Sequence, residues 1–579
     1  VFAVSIITIV YLPILTLQGI EGKMFRPMAL TVVMALAGSL LFTLTLIPVL
    51  CSFFLKGIKE KENKVLHFVH SRYKPTLDWA FKNQKKVFLM AVSSVVLSGI
   101  LFPFLGSEFI PRLDEESLSI QAVKPTGISL TESAKLAGLS EKALLAFPEV
   151  LTSFSRTGTA EVATDPMGPN ISDTYIMMKG KVKNKEKLVE KMAETLSLIP
   201  GMAFGFSQPI ELRVNELISG ARSDIAIKLF GDDLEVLKQK GDEIQRVISG
   251  IKGARDARAE QISGLPILQV EVDRAKIARY GINASEVLNV IETAIGGKSA
   301  GEVFEGIKRF DLVLRFPEEY RNSPEAIGNL LITSPEGQKI PLVQLAKKIV
   351  IEEGPAQISH EHARRRIGIE VNVRGRDIGS FVAEAQEAVE KKVKLPPGYS
   401  IEWGGQFENL EEARKRLLIV VPVSLLLIFI LLFSTFNSIK QALLVFTGIP
   451  LAVTGGVFAL FIRQIHFSIS AGVGFIALLG VAVMNGLVLL SHIRQLRLEG
   501  LSVRDAVTRG CEEKLRAMIM APLVAALGFV PMAFAHGTGA EVQQPLATVV
   551  IGVLISSTLL TLVLLPILYT WFEKENSKK

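Results

Sequence analysis

Residues with the chemistry to hold an ion or a phosphate are few and scattered through this chain of 579 residues. His360 and His362, spaced by two, would share one face of a strand, and paired imidazoles suit Zn²⁺; their setting, HEHARRR, equally fits a plain charged surface. Residues 296–299 read GGKS, like the end of a phosphate-binding loop. The glycine such a loop needs five positions before Gly297 is Glu292, and the segment follows a predicted helix rather than a strand, so nucleotide binding is rejected. Met177 and Met178 would point to opposite faces of a strand, one of them into a core. Cys51 and Cys511 lie in or beside apolar segments and give no disulfide framework. Glu216 is an acid in an otherwise apolar turn, NELISG.

The elements that would position these groups follow from hydropathy. The chain is 49% hydrophobic, with a formal net charge of +7 and a mean hydropathy of +0.38. Eight segments of low charge, residues 1–17, 28–55, 87–104, 416–436, 441–462, 470–492, 517–535 and 545–572, read as membrane-spanning helices, the first of them short. This excludes a soluble enzyme, a fibrous chain and a disordered one. The basic residues gather in 56–86, 493–516 and the tail, which fall on one side if each segment crosses once; that side is expected to be cytoplasmic. Topology thus accounts for the positive charge, and no nucleic-acid partner is expected. Within 61–83, HFVHSRYKPTLDWAF is amphipathic and reads as a helix along the membrane surface or a basic linker. The interiors of the eight segments hold no Asp, Glu, Lys or Arg.

The two ends of the chain repeat each other. Pro13, Gly19, Pro27, Ala29 and Pro48 match Pro531, Gly537, Pro545, Ala547 and Pro566, each pair 518 positions apart. Both copies share one orientation, so the repeat is parallel. By that symmetry, and because residue 1 is Val inside an apolar run, the chain is expected to be the C-terminal part of a longer protein with twelve helices. Four helices and a second outer domain, roughly 430 residues, would precede it.

Between the apolar segments lie about 300 residues of ordinary soluble composition. Strands are expected at 117–122, 150–156, 174–179 and 202–207, with helices at 129–147 and 185–199. That order, β-α-β-β-α-β, is the ferredoxin-like unit. A second unit is expected from strand 224–230, helix 234–251, strands 254–260, 267–272 and 366–373, helix 378–393 and strand 400–403, interrupted by an insertion of about 274–365 that suggests a docking surface. The expected organisation is 1–55, the last two helices of an N-terminal membrane repeat; 56–86, a cytoplasmic amphipathic linker; 87–104, a transmembrane helix; 105–223 and 224–415, the two units; 416–572, five transmembrane helices; and 573–579, a cytoplasmic tail. The fold class is an α-helical polytopic membrane domain, eight of an expected twelve helices, with an α+β periplasmic domain.

Long motifs carry a resemblance. They include GSEFIPRLDEESL (106–118), DPMGPNISDTYIMMK (165–179), QPIELRVNELISGARSDIAIKLFG (208–231), AEQISGLPILQVEVDRAKIARYGI (259–282), AIGGKSAGEVFEGIKRFDLVLR (294–315) and GFIALLGVAVMNG (474–486). Over essentially its whole length the chain resembles the heavy-metal efflux branch of the resistance-nodulation-division exporters, close to the cobalt-zinc-cadmium type. The resemblance implies a secondary transporter and not an enzyme: a proton-driven homotrimer in the bacterial inner membrane, with a periplasmic adaptor and an outer-membrane channel as partners. No resident cofactor is implied, and the substrate is a divalent metal ion.

Similar copper and silver exporters use methionine thioethers, and at two of the matching places this chain has Ile171 and Glu216. A carboxylate favours Zn²⁺, Co²⁺ or Cd²⁺ over Cu(I). The resemblance therefore gives Asp173, Glu216 and Glu260, with Asp224 after them, as candidate metal ligands; each equally fits a solvated loop or strand-end acid. The acidic proton relay of the family sits on a helix that would lie upstream of residue 1. Asn485 and Arg516 resemble its neighbours, although related pumps carry a charge where this chain has Met484. An interhelical hydrogen bond for Asn485 and a membrane-edge anchor for Arg516 fit as well.

Two other readings stand beside this one. A drug exporter of the same superfamily predicts a wide, Phe-lined cleft without converging acids. A membrane-bound assembly or translocation factor predicts no channel from cleft to membrane.

Overall fold

Uncharged apolar runs satisfy their amides in lipid through the helical ladder, and the computed structural model of the chain is helical wherever such runs occur. The structure describes residues 2–54, 64–109, 111, 113–159, 167–182, 184–219, 222–537 and 539–573. It opens with α1 (Phe2–Leu15), α2 (Gly19–Leu44), α3 (Leu46–Phe54), α4 (Lys64–Lys82) and α5 (Gln84–Leu101). α4 is the amphipathic segment. Its Leu77, Ala80 and Phe81 are buried, its Phe68 and Trp79 are exposed, and the Tyr73 hydroxyl donates to the Leu562 carbonyl at 2.7 Å.

The first α/β unit comprises β1 (Ser117–Val123), α6 (Leu130–Leu145), β2 (Val150–Thr157), β3 (Ile171–Met178), α7 (Lys185–Ser197) and β4 (Ala203–Ser207), in the sheet order β2-β3-β1-β4. Alternate residues Leu118, Ile120, Ile176 and Met178 face a core shared with Leu144, Leu188 and Met192 of the two helices. Met178 is buried and Met177 exposed, one on each face. α8 (Pro209–Ser219) then leads to the second unit. That unit begins with β5 (Ile225–Phe230), α9 (Leu234–Ser249), β6 (Ala254–Ala259) and β7 (Ser263–Val272).

The chain next runs through α10 (Arg274–Arg279), α11 (Ala284–Ile291), β8 (Lys298–Glu305), β9 (Lys308–Leu314), α12 (Pro324–Gly328), β10 (Leu331–Thr333), β11 (Lys339–Pro341), α13 (Leu342–Leu345) and β12 (Ala346–Pro355). It closes the unit with β13 (Ser359–Glu361), β14 (Arg364–Val373), α14 (Ile378–Lys392) and β15 (Ser400–Gly405). Its sheet runs β15-β5-β14, with β13 and β6 sharing the far edge of β14.

Two expectations change here. Residues 267–272, expected as a strand of the second unit, belong to β7, which pairs antiparallel with β12 outside the five-stranded sheet. The two strands form a stalk, and their alternation matches a core strand because one face packs on the insertion's own apolar cluster. His362 is not on a strand with His360: it lies in the turn between β13 and β14 at φ +50°, so the two imidazoles do not share a face. GGKS leads into the β8–β9 hairpin, whose residues are all exposed.

The chain ends in α15 (Gln406–Phe436), α16 (Ile439–Phe446), α17 (Gly448–Ile462), α18 (Ile469–Leu498), α19 (Val503–Ala533) and α20 (Ala540–Phe572). Among the described residues seven helical stretches are long and apolar enough to cross a membrane, and Val4–Leu15 is a shorter apolar helix. The helices extend past their apolar runs. Residues 493–516, expected as a loop, are helical except around 499–502, where the Ser502 hydroxyl caps α19 by accepting from the Asp505 N–H at 3.1 Å. Hydropathy ends where side chains become charged, whereas the hydrogen-bond ladder continues with those side chains turned outward.

α18 is the most enclosed of these helices and packs against α1, α15, α17, α19 and α20. α17 and α20 meet backbone to backbone at Gly455 and Gly552, where a methyl group on either would overlap the other's carbonyl. The repeat is visible in backbone conformation as well: Gly19, which opens α2, and Gly537, just ahead of α20, both have positive φ, and Pro27 and Pro545 both lie inside those helices.

Candidate functional site

The open faces of the two sheets carry polar residues where their other faces carry the cores. On the first sheet Gln121, Asp173 and Arg156 lie in one row across β1, β3 and β2, because the register pairs Gln121 with Asp173 and Arg156 with Asp173. On the second, Glu370 of β14 is opposite Arg258 of β6. Arg258 donates to Glu370 at 2.7 and 3.1 Å and reaches across to the Gln121 amide oxygen of the first unit. Burial alone would raise the Glu370 carboxyl, but Arg258 and Arg222 together outweigh it and hold the group below its ordinary value.

Asp256 makes a second crossing. It sits at φ +53° in a bulge of β6, and its Oδ2 accepts from the Phe206 N–H of β4, from Asn372 Nδ2 and from Arg374 Nη2, each at 3.2 Å. Thr126 donates to the Gly264 carbonyl at 2.8 Å and Asn170 to Gln261 at 3.0 Å, further joining the units. The cavity left between Ser119, Gln121, Arg222, Asp256, Arg258 and Glu370 is about 10 Å³, at the lower limit for one water. The cleft is closed.

Arg222, in the link between α8 and β5, organises the candidate acids. Its Nη1 lies 3.1 and 3.2 Å from the two oxygens of Asp173, and its Nη2 lies 3.1 Å from Glu216 Oε1. The Met167 sulfur is 3.6 Å from the same Nη1, and the Arg222 backbone N–H donates to Glu370 at 3.3 Å. Arg156 approaches Asp173 at 3.4 Å, and Arg213 holds the second oxygen of Glu216 at 2.7 Å. Glu216 is not in a turn, as its apolar neighbours suggested: Pro209 opens a helix, and Arg213 and Glu216 pair at i and i+3 on it.

Asp173 and Glu216 thus meet on one guanidinium, that of Arg222. Glu260 and Asp224 lie elsewhere. Glu260 accepts from the Gly368 N–H at 2.9 Å and the Ser359 hydroxyl at 2.7 Å, at the edge of the second sheet. Asp224 is buried and accepts from the Val373 N–H at 2.9 Å and from Gln406 at 3.4 Å. No group of three or more His, Cys, Asp and Glu with metal-binding geometry occurs among the described residues. Asn485 is buried on α18, its Nδ2 without a hydrogen-bond partner among the described residues. Arg516 is exposed in the middle of α19 and does not open it.

Arg222, Met167, Arg258 and Asp256 were missed from the sequence. Arg222 lies within the quoted motif at GARSD, but a single arginine between a helix and a strand gives no periodic signal. Lys124 was missed too. It is buried behind β3 with its ammonium on the Ser172 hydroxyl, and burial pushes its pKa down to about 8. A separate cavity of about 1090 Å³ lies between the segment that follows α5 and helices α14, α15, α17 and α18, lined chiefly by apolar side chains including Phe102, Phe407, Phe467 and Phe475.

Paired α/β units set between apolar helices, with charged residues along the contact of their sheets, describe a multi-pass membrane protein with a large α/β region. The family model described as the AcrB/AcrD/AcrF family matches residues 1–573, and the chain belongs to this family of the resistance-nodulation-division permeases. It is similar to the cation efflux system protein CzcA of Alcaligenes sp. (strain CT14), at 51% identity over 98% of this chain and 55% of that protein. It is 51% identical, over the same shares, to the cobalt-zinc-cadmium resistance protein CzcA of Cupriavidus metallidurans. A crystal structure of a heavy metal efflux pump superposes with a TM-score of 0.88 at 38% identity, over 98% of this chain and 56% of that one. The chain therefore spans a little over half the length of these relatives.

Proposed function

We propose that the protein is the inner-membrane permease of a proton-driven pump exporting divalent heavy-metal cations, with zinc, cobalt and cadmium as its substrates. One observation carries the reading: Asp173 of β3 and Glu216 of α8 both meet the Arg222 guanidinium in the cleft, and the Met167 sulfur lies on the same guanidinium. Two oxygen donors and a thioether suit a borderline divalent ion better than Cu(I), which favours several sulfurs, or Mg²⁺, which favours oxygen alone. The names of the relatives similar over 98% of the chain support the same substrate class. Glu260 and Asp224, bound into the second sheet, are in this reading supports for its edge and not ligands of the same ion.

In this reading the α/β region faces the periplasm as two ferredoxin-like units with a docking insertion. The membrane part supplies eight of twelve helices, and the whole works as a trimer with an adaptor and an outer-membrane channel. Proton transfer in this reading needs an acid within the bilayer, a residue type that the interiors of the eight apolar segments do not hold. The buried Nδ2 of Asn485, without a hydrogen-bond partner among the described residues, supports a polar neighbour for that acid within the bilayer, whereas the exposure of Arg516 supports an anchoring role.

The test is zinc tolerance in cells making the full-length protein. Asp173→Asn and Glu216→Ala, at equal membrane levels, are expected to lose most of the tolerance the native protein confers. Native tolerance in both would remove the site. Export of amphiphiles is favoured by the Phe-lined cavity of about 1090 Å³; on that reading Phe475→Ala would lower detergent tolerance and leave zinc tolerance alone.

A further inference from the structure

We infer that Arg222 is an internal stand-in for the transported cation: it holds the cleft shut and must be displaced by the metal that enters. The inference rests on the proposed reading that Asp173 and Glu216 receive that metal.

The geometry is that of one guanidinium shared by two carboxylates, each of which also meets a second arginine, Asp173 with Arg156 and Glu216 with Arg213. The Arg222 side chain is 13% exposed, Asp173 only 2%, and the guanidinium spends one nitrogen on each carboxylate. Asp173 is nearly fully buried and is strongly disfavoured without a cation beside it, and a cation shared with Glu216 compensates both carboxylates at once. The shared cation is Arg222, besides the separate contacts of Arg156 with Asp173 and of Arg213 with Glu216. A divalent ion bound by the same oxygens would lie within a few ångströms of the guanidinium, where two like charges repel. The two occupants therefore exclude each other.

Arg222 is also tied to the other half of the cleft. Its side chain belongs to the first unit's acids, while its backbone N–H is bonded to Glu370 of the second unit. Glu370 in turn holds Arg258, which reaches back to Gln121. Displacing the guanidinium consequently pulls on the contact that keeps the two sheets together, so metal entry and cleft opening are one event. The same competition sets selectivity. A monovalent ion gains too little from two carboxylates to expel a bidentate guanidinium, whereas a divalent ion brings twice the charge. Arg222 acts through the ligands and is a positioning residue.

Zn²⁺ binding to purified full-length protein, measured by calorimetry, tests this. Arg222→Gln is expected to bind Zn²⁺ at least tenfold more tightly than the native protein while its transport slows, because the competitor that helps release the ion is gone. Arg222→Lys keeps a charge and is expected to stay within about threefold of native affinity. A merely structural arginine would not tighten binding when removed. Unchanged or weaker binding in Arg222→Gln of native thermal stability would overturn the inference, as would equal tightening in Arg222→Lys. Asp173→Asn and Glu216→Gln separate the two levels. If they weaken Zn²⁺ binding and Arg222→Gln does not tighten it, only the stand-in role fails; if they leave binding unchanged, the site itself fails and the inference with it.

Discussion

Arg258 and Glu370 face each other directly across β6 and β14, 2.7 Å apart, and through this pair the second sheet holds the first. The Glu370 carboxyl is held below its ordinary value of 4.5: burial works to raise it, and Arg258, aided by the Arg222 N–H, overrides burial. A carboxyl with a lowered folded pKa contributes stability that is full above its unfolded value and is lost as pH falls through the lowered one. Cleft closure, followed by cross-linking of cysteines placed at Asn170 and Gln261, should therefore persist on mild acidification and fail only below about 4.5. In Glu370→Gln the yield should be low already at neutral pH. A native yield in that variant would show that the pair does not hold the units together.

Lys124 gives a slope of the same sign in a different window. Its folded pKa of about 8 lies below the ordinary 10.5, so the unfolded chain binds more protons between those values and stability should rise with pH across them. Lys124→Met should flatten that rise and stabilise the protein near neutral pH by on the order of 1–3 kcal/mol, since an apolar side chain needs no partner there. Thermal unfolding of both proteins at several pH values checks this. A destabilised Lys124→Met would mean that the ammonium on Ser172 contributes more than its burial costs.

Asp256 combines an uncommon backbone conformation with three donors on one oxygen. Asp256→Ala should cost about 2–4 kcal/mol, from stranded donors and from φ +53° in a residue that disfavours it. Asp256→Gly should recover only the backbone part. Equal unfolding temperatures for the two variants would remove the strain contribution.

Gly455 and Gly552 leave no room for a side chain where α17 crosses α20. Gly552→Leu should therefore abolish accumulation of folded protein in the membrane, while Gly528→Leu, at a position with nothing within 4 Å of an added Cβ, should accumulate normally. Immunoblotting of membranes is the readout, and normal levels of Gly552→Leu would contradict the packing described.

Chemistry at the cleft was only half legible in advance. Asp173 and Glu216 were named through a resemblance, and nothing in their spacing announced that they meet. They are 43 positions apart, on a strand and a helix, and the partner that joins them is an arginine in a connector. β7 shows the same limit. Its alternation of apolar and polar residues reads as a sheet strand, yet its partner is β12, more than 70 residues on, because alternation reports that a face is covered and not what covers it.

Local and near-periodic properties were decided by the amino-acid order alone: which stretches are apolar enough for lipid, the 518-residue repeat with its paired prolines and glycines, and most helices and strands of the two α/β units. These depend on hydropathy and short-range periodicity, which neighbours in the chain carry. Where helices end beyond their apolar runs, which strands leave a sheet, and which cation occupies the cleft were decided only by tertiary structure. Those outcomes turn on burial and charge compensation between residues far apart in sequence, and such energies exist only once the chain has brought them together.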